Sequence, residues 1–141
     1  IFCDYPKQNK DRENLLLYRG KKAFIIMNRY PYNPGHVLVC PYRHVAELSE
    51  LEMDEKVELL ELIDLIIAAI RKEMNPDGFN VGLNIGKVAG AGMGEHLHFH
   101  VVPRWNGDTS FMPVFADVQV VPEALEETYD KLKRVIEEIK G

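Results

Sequence analysis

The chain has 141 residues, one domain's worth, and its 46% hydrophobic and 28% charged composition is that of a globular protein with a single core. A formal net charge of −5 excludes the broad basic surface that sequence-independent nucleic-acid binding needs, while leaving room for a nucleotide-sized ligand. No apolar run reaches the ~18 residues of a membrane span and no secretory leader is legible, so a soluble, cytoplasmic protein that engages neither nucleic acid nor membrane is expected. Two cysteines, Cys3 and Cys40, are too few for a disulfide framework.

In chain order, residues 15–18 and 23–27 are short apolar runs separated by Arg19-Gly20-Lys21-Lys22, the pattern of a β-hairpin. Residues 36–40 form a third strand, entered through a loop marked by Pro31, Pro34 and Gly35. From Ser49 the period changes. Ser49 and Glu52 fit a capping box, and Met53, Val57, Leu60, Ile63, Ile67, Ile70 and Met74 recur every three or four residues until Asn75-Pro76-Asp77-Gly78 stops the pattern. This is a long amphipathic helix. Residues 79–85 read as a fourth strand, 86–95 as a glycine-rich loop and 96–103 as a fifth strand. After a polar bend at Asn106-Gly107-Asp108, Pro122 starts a second helix, with Leu125, Tyr129, Leu132, Ile136 and Ile139 on one face. Links too short for parallel crossovers give an α+β domain: an antiparallel sheet of about five strands, one long amphipathic helix and a C-terminal helix, all within a single domain spanning 1–141.

Three of the five histidines, His96, His98 and His100, stand at alternate positions. A helix would point the middle one away, because two steps turn it by about 200°. A strand puts all three on one face and Leu97, Phe99 and Val101 on the other. Polar groups aligned in this way need partners. One reading is a set of structural histidines bonded to carbonyls. A catalytic metal is a second, but it would need a Glu and another His farther on, where the sequence has Val101, Val102 and Pro103 and no later histidine. The third is nucleophilic attack by an imidazole nitrogen on phosphorus, giving a phosphoramidate that water or another acceptor resolves. That chemistry needs a neutral histidine in one tautomer and a neighbour able to donate to the phosphate oxygens or the leaving group. Just upstream, Gly86, Gly90, Gly92 and Gly94 allow backbone N–H groups to approach phosphate oxygens unhindered.

The run from His96 to Val102 resembles the His-φ-His-φ-His-φ-φ signature, φ being hydrophobic, of the histidine triad (HIT) superfamily of nucleotide hydrolases and transferases. Asn28-Arg29-Tyr30-Pro31, the run from Pro34 through His36 to Pro41, and Asn84-Ile85-Gly86 are similar to further segments of that family, in family order. Val88 to Gly92, His100 to Trp105 and Phe111-Met112-Pro113 are most similar to the Fhit-like branch, in particular its dinucleoside tetraphosphate (Ap4A) phosphorylases. The resemblance implies a HIT-fold enzyme that cleaves dinucleoside polyphosphates at the α-phosphate through a covalent nucleotidyl-histidine, by phosphorolysis or hydrolysis. Its alternatives are a nucleoside phosphoramidate hydrolase of the other HIT branch and a non-catalytic nucleotide-binding signalling protein.

Carried over residue by residue, the resemblance implies His98 as nucleophile, His100 on the phosphate oxygens and leaving group, and His36 as a supporting fourth histidine. Asn28 would lie near the ribose and Asn84 near the α-phosphate, while Trp105 would stack on a base or anchor the core. Many family members carry Gly-Gln-Ser/Thr before the triad. Here that stretch is Gly92-Met93-Gly94-Glu95, so backbone donors, Gly90 included, take over the contacts to phosphate. No catalytic metal is implied, and Mg²⁺ would enter only with the substrate. A structural zinc is implied on Cys3, His44 and His96, completed by a cysteine upstream of Ile1; in that case His96 is a ligand rather than a catalytic group. A homodimer through the long helix and the fourth strand is implied as well.

Overall fold

The computed structural model describes residues 2–90, 95–108 and 122–141. β1 (Leu16–Arg19) and β2 (Ala23–Met27) form the expected hairpin, β2 pairs with β3 (Val37–Pro41), and β3 pairs with the histidine-bearing strand β5 (Phe99–Arg104). β4 (Gly78–Gly82) lies outside β5, so the sheet runs β1-β2-β3-β5-β4 with every pair antiparallel. A four-residue helix α1 (Asp11–Asn14) precedes the sheet, and α2 (Met53–Met74) and α3 (Pro122–Lys140) are the two expected long helices.

Period-2 alternation divides the sheet into two faces. Ile25, Val39 and Val101 point toward α2 and α3, where Leu59, Ile66, Ile70, Leu132 and Ile136 close the main core. On the opposite face Leu16, Phe24, Ile26, Leu38 and Cys40 form a smaller cluster, covered in part by Phe2, Tyr5 and Tyr42. The outer edge of β1 is shielded by α3: Tyr129 Oη donates to Leu16 O (2.9 Å) and Lys133 Nζ to Leu17 O (3.1 Å). An edge strand would otherwise offer these carbonyls to another chain.

Several expectations are corrected. The capping box of α2 is Glu52 with Glu55, not Ser49 with Glu52, because Leu48–Glu50 turns as a short 3₁₀ segment before the helix starts. The buried stripe of α2 is Leu59, Leu62, Ile63, Ile66, Ala69 and Ile70, whereas Met53, Val57 and Leu60 face outward. The helix carries more apolar residues than one face can bury. On α3, Val135 rather than Ile139 completes the buried stripe. β4 ends at Gly82, short of residue 85. β5 begins at Phe99, so His96 and His98 lie in the lead-in to the ladder and only His100 within it. The cause is Pro41: the register Val39↔Phe99 carries it opposite Leu97, where it has no N–H to give, and its carbonyl is taken by the His96 ring instead. Leu97 N–H bonds to Val45 O (2.7 Å), which keeps the lead-in attached.

Candidate active site

The histidines lie along the sheet face turned away from the helices, at its centre where β3 and β5 meet. Their hydrogen bonds assign their protons in a chain. The backbone N–H of Tyr32 donates to His36 Nδ1 (3.1 Å), which makes that nitrogen an acceptor and leaves the neutral ring's proton on Nε2. His36 Nε2 is 3.0 Å from His100 Nδ1 and donates to it, so the His100 proton resides on Nε2. His98 Nδ1 is 2.8 Å from His96 O, a carbonyl that can only accept; Nδ1 therefore carries a proton, and in the neutral ring Nε2 holds the lone pair. The His98 and His100 rings meet edge to face at 4.9 Å. A neutral His98 thus presents a nucleophilic nitrogen and its neighbour a hydrogen-bond donor, the pairing that phosphoryl attack with stabilisation of an anionic leaving group requires.

Electrostatics favour the same state. Burial, with His100 and His98 adding repulsion, lowers His36 from 6.5 to about 3. His100 is lowered by burial and by His98, against a raising influence from Glu95. Glu95 also stands 3.5 Å from His98 Nδ1. Both rings of the His36–His100 pair are therefore neutral at pH 7, as the tautomer chain demands.

Next to this row is a second cluster. His96 Nε2 donates to Pro41 O (2.6 Å), which turns its bare Nδ1 toward Cys3 Sγ (3.5 Å) and His44 Nδ1 (3.3 Å); Cys3 Sγ and His44 Nδ1 are 3.4 Å apart. Ligands at about 2.0–2.1 Å (N) and about 2.3 Å (S) on a tetrahedral ion lie about 3.4 Å (N to N) and about 3.5 Å (N to S) from one another. The three atoms match those edges, and the Pro41 carbonyl supplies the outer hydrogen bond that orients a metal-binding imidazole.

The family model for the HIT domain matches residues 9–107, from α1 to the turn after β5. The chain belongs to the HIT family. It is 46% identical over 127 residues to a protein named AP-4-A phosphorylase from Mycobacterium tuberculosis, covering 90% of this chain and 65% of that protein. The chain therefore spans just under two thirds of that curated relative. Among solved structures it is similar to a hypothetical histidine triad nucleotide-binding protein from Sulfolobus tokodaii strain7, with TM-score 0.80 and 28% identity over 99% of this chain and 93% of that one. A Zn-bound histidine triad family protein from Mycobacterium smegmatis has TM-score 0.73 and 26% identity over 90% and 86% of the two chains.

Around the HIT histidines, Asn28 comes close to the His36 ring, its Nδ2 at 3.4–3.5 Å from both ring nitrogens, while its Oδ1 accepts the Tyr30 N–H (3.0 Å). Asn84 follows β4 and lies against Gly90, where a Cβ would come within 3.3 Å of Asn84 Nδ2 and where φ is +104°. The backbone angle is what calls for glycine there. Gly92, Met93 and Gly94 lie outside the described residues, as does the segment Phe111-Met112-Pro113. Trp105 is not brought to the histidines: it stands five residues beyond His100, about 16 Å of extended chain, in an open pocket with Asp77, Phe79, Asn80 and Arg104. Two contributors escaped sequence reading. The Tyr32 N–H is a backbone group with no signature of its own. Phe2 packs its ring at 4.9 Å from His98 and 5.7 Å from His96. Its place beside Cys3 in the implied zinc segment is the one signal for it.

Proposed function

We propose that this HIT protein is an enzyme cleaving dinucleoside polyphosphates of the Ap4A type at an α-phosphate. The observation that carries the reading is the His98 Nδ1–H···O=C His96 bond, which makes Nε2 the nitrogen that holds the lone pair of the neutral ring, beside the donor ring of His100. His98 Nε2 forms a bond to the α-phosphorus as the bridging P–O bond breaks; the bonding pair leaves with the nucleoside polyphosphate, which departs as its anion accepting a hydrogen bond from His100 Nε2–H, while the His98 ring carries the positive charge. Inorganic phosphate or water then attacks the nucleotidyl-His98, breaking the P–N bond and restoring the free ring. Asn28 is assigned to the ribose, and Asn84 with the backbone donors of the Gly90 to Gly94 stretch to the phosphate, where charge develops. The name of the mycobacterial relative supports the substrate class. The metal on Cys3, His44 and His96 is assigned as a structural zinc that ties the N-terminal segment to the lead-in of β5; when bound it supplies a fixed anchor and no step of the reaction.

Two features of the whole chain belong to this reading. Residues 1–141 are taken as one HIT domain, since α3 packs on α2 and β1. A homodimer is assigned to the outward stripe Met53, Val57 and Leu60 of α2 with Val81 on edge strand β4, all exposed; sedimentation equilibrium reads its mass directly.

The test is incubation of the protein with diadenosine tetraphosphate, with and without inorganic phosphate, and identification of products. ADP plus ATP only with phosphate means phosphorolysis, AMP plus ATP means hydrolysis, and no product under either condition sinks the assignment. A nucleotidylated protein is expected to be trapped from the native chain and not from His98→Ala.

A further inference from the structure

We propose that Asn33 is a positioning residue for the His36–His100 pair, clamping the loop whose backbone assigns their protons. The proposal rests on the catalytic reading above for its kinetic consequence, though not for its structural one.

Asn33 is one of few buried polar side chains among the described residues, 6% exposed. Its Nδ2 donates to Pro103 O (2.9 Å) and to Asp108 Oδ2 (2.5 Å). Both partners can only accept, so the carboxamide has one orientation. The socket is itself held: Asp108 Oδ2 also accepts from the Trp105 N–H (2.9 Å) and Arg104 Nε (3.0 Å). The turn after β5 is thereby locked around Asn33, and β5 is the strand that carries His100.

On the other side, Asn33 lies within the loop that encloses His36. Its own carbonyl accepts the His36 backbone N–H (3.1 Å), and the Asn28 N–H reaches His36 O (3.0 Å). Tyr32, the residue immediately before it, supplies the N–H that meets His36 Nδ1. The loop sits hard against its support at Gly35, where φ is +83° and a Cβ would lie 2.9 Å from Met74 Sδ and 3.2 Å from Pro103 Cγ. Pro103 thus forms the floor of the loop and an acceptor for the clamp.

The consequence follows from how a neutral imidazole chooses its tautomer. The Tyr32 N–H favours the His36 form with a bare Nδ1, and only that form offers Nε2–H to His100. With the clamp gone, the Tyr32 N–H is no longer held on Nδ1. His36 then populates both tautomers, and His100 loses the donor that keeps its own proton on Nε2. Asn33 touches no reacting atom and acts through His36.

The experiment is long-range ¹H–¹⁵N NMR of the free protein with labelled histidine, read with kinetics on diadenosine tetraphosphate. In the native protein, His36 and His100 are each expected to show a bare Nδ1 and a protonated Nε2. Asn33→Ala and Asp108→Ala, which break the clamp from opposite sides, should both mix tautomers at the two histidines. They should lower kcat about tenfold or more with KM changed less than about twofold, and the double variant should be no worse than the weaker single one. Asp108→Asn keeps an acceptor oxygen for Asn33 and should retain native tautomers. Should one alanine variant fail to fold, the other decides. Native tautomers in a folded alanine variant, with or without loss of kcat, overturn the proposal. Inactivity of the native protein toward the dinucleotide would instead count against the functional reading, and the NMR result would still decide the clamp.

Discussion

At the scale of single residues, burial of His36 ties the stability of the fold to pH. Its ring is wholly buried and titrates at about 3 rather than 6.5. Above 6.5 the folded and unfolded chains both hold it neutral. Between 6.5 and about 3 the unfolded chain binds a proton that the folded one refuses, so stability falls as pH falls, by at most ~1.4 kcal/mol per unit. His100, also lowered, contributes in the same direction. His36→Gln retains an amide that can accept from Tyr32 and donate to His100 but does not titrate. Its melting temperature is expected to fall less between pH 6.5 and 4 than that of the native chain; parallel curves would show that another group is responsible. The triad spacing was visible in the sequence because strand alternation is a local rule. The proton assignment was not, because it depends on a backbone N–H four residues before His36.

At the scale of elements, the start of α2 is held by Glu55. Its carboxylate accepts from Arg43 Nε (2.9 Å), Arg43 Nη2 (2.8 Å) and the Glu52 N–H (2.7 Å), and it is buried. The Arg43 hydrogen bonds lower it from 4.5 to about 2 against the cost of burial. Its contribution is present above about 4.5 and is lost as pH falls toward 2. Glu55→Ala removes the capping box and the tie to the segment carrying His44, and should cost about 1–3 kcal/mol in urea unfolding at pH 7. Glu61→Ala, on the exposed face of α2, should stay within about 0.5 kcal/mol; equal losses would refute the assignment. The period of α2 was readable from its apolar spacing, and its stop at Asn75 from the Asn-Pro-Asp-Gly run. Which stripe turned inward was not, since Leu60 and Leu59 are equally apolar and only the sheet beneath distinguishes them.

At the scale of the whole molecule, the Cys3, His44 and His96 cluster joins three segments far apart in the chain: the N-terminal stretch, the loop after β3 and the lead-in to β5. Zinc binding only the folded arrangement stabilises it by mass action, about 2.7 kcal/mol when free metal is one hundredfold above its dissociation constant. Chelation should therefore lower the melting temperature by several degrees, and metal analysis should find about one zinc per chain in the native protein. Cys3→Ser should lose metal and become insensitive to the chelator. An unchanged melting temperature for the native chain after complete removal of zinc would argue against an anchor.

By itself the sequence determined the elements and the family, because helix and strand periods, turn residues and the alternating histidines are local patterns that survive any arrangement of the chain. It also named Cys3, His44 and His96 as companions, through resemblance rather than spacing. Only the tertiary structure decided which groups hold each histidine ring. Pro41 ends the ladder and captures the His96 ring, which turns that residue toward Cys3 and His44. The Tyr32 loop, pinned through Asn33 to the turn after β5, orders His36 and His100. Those contacts join residues 55 and 70 positions apart, and no local pattern encodes a hydrogen bond across such a distance.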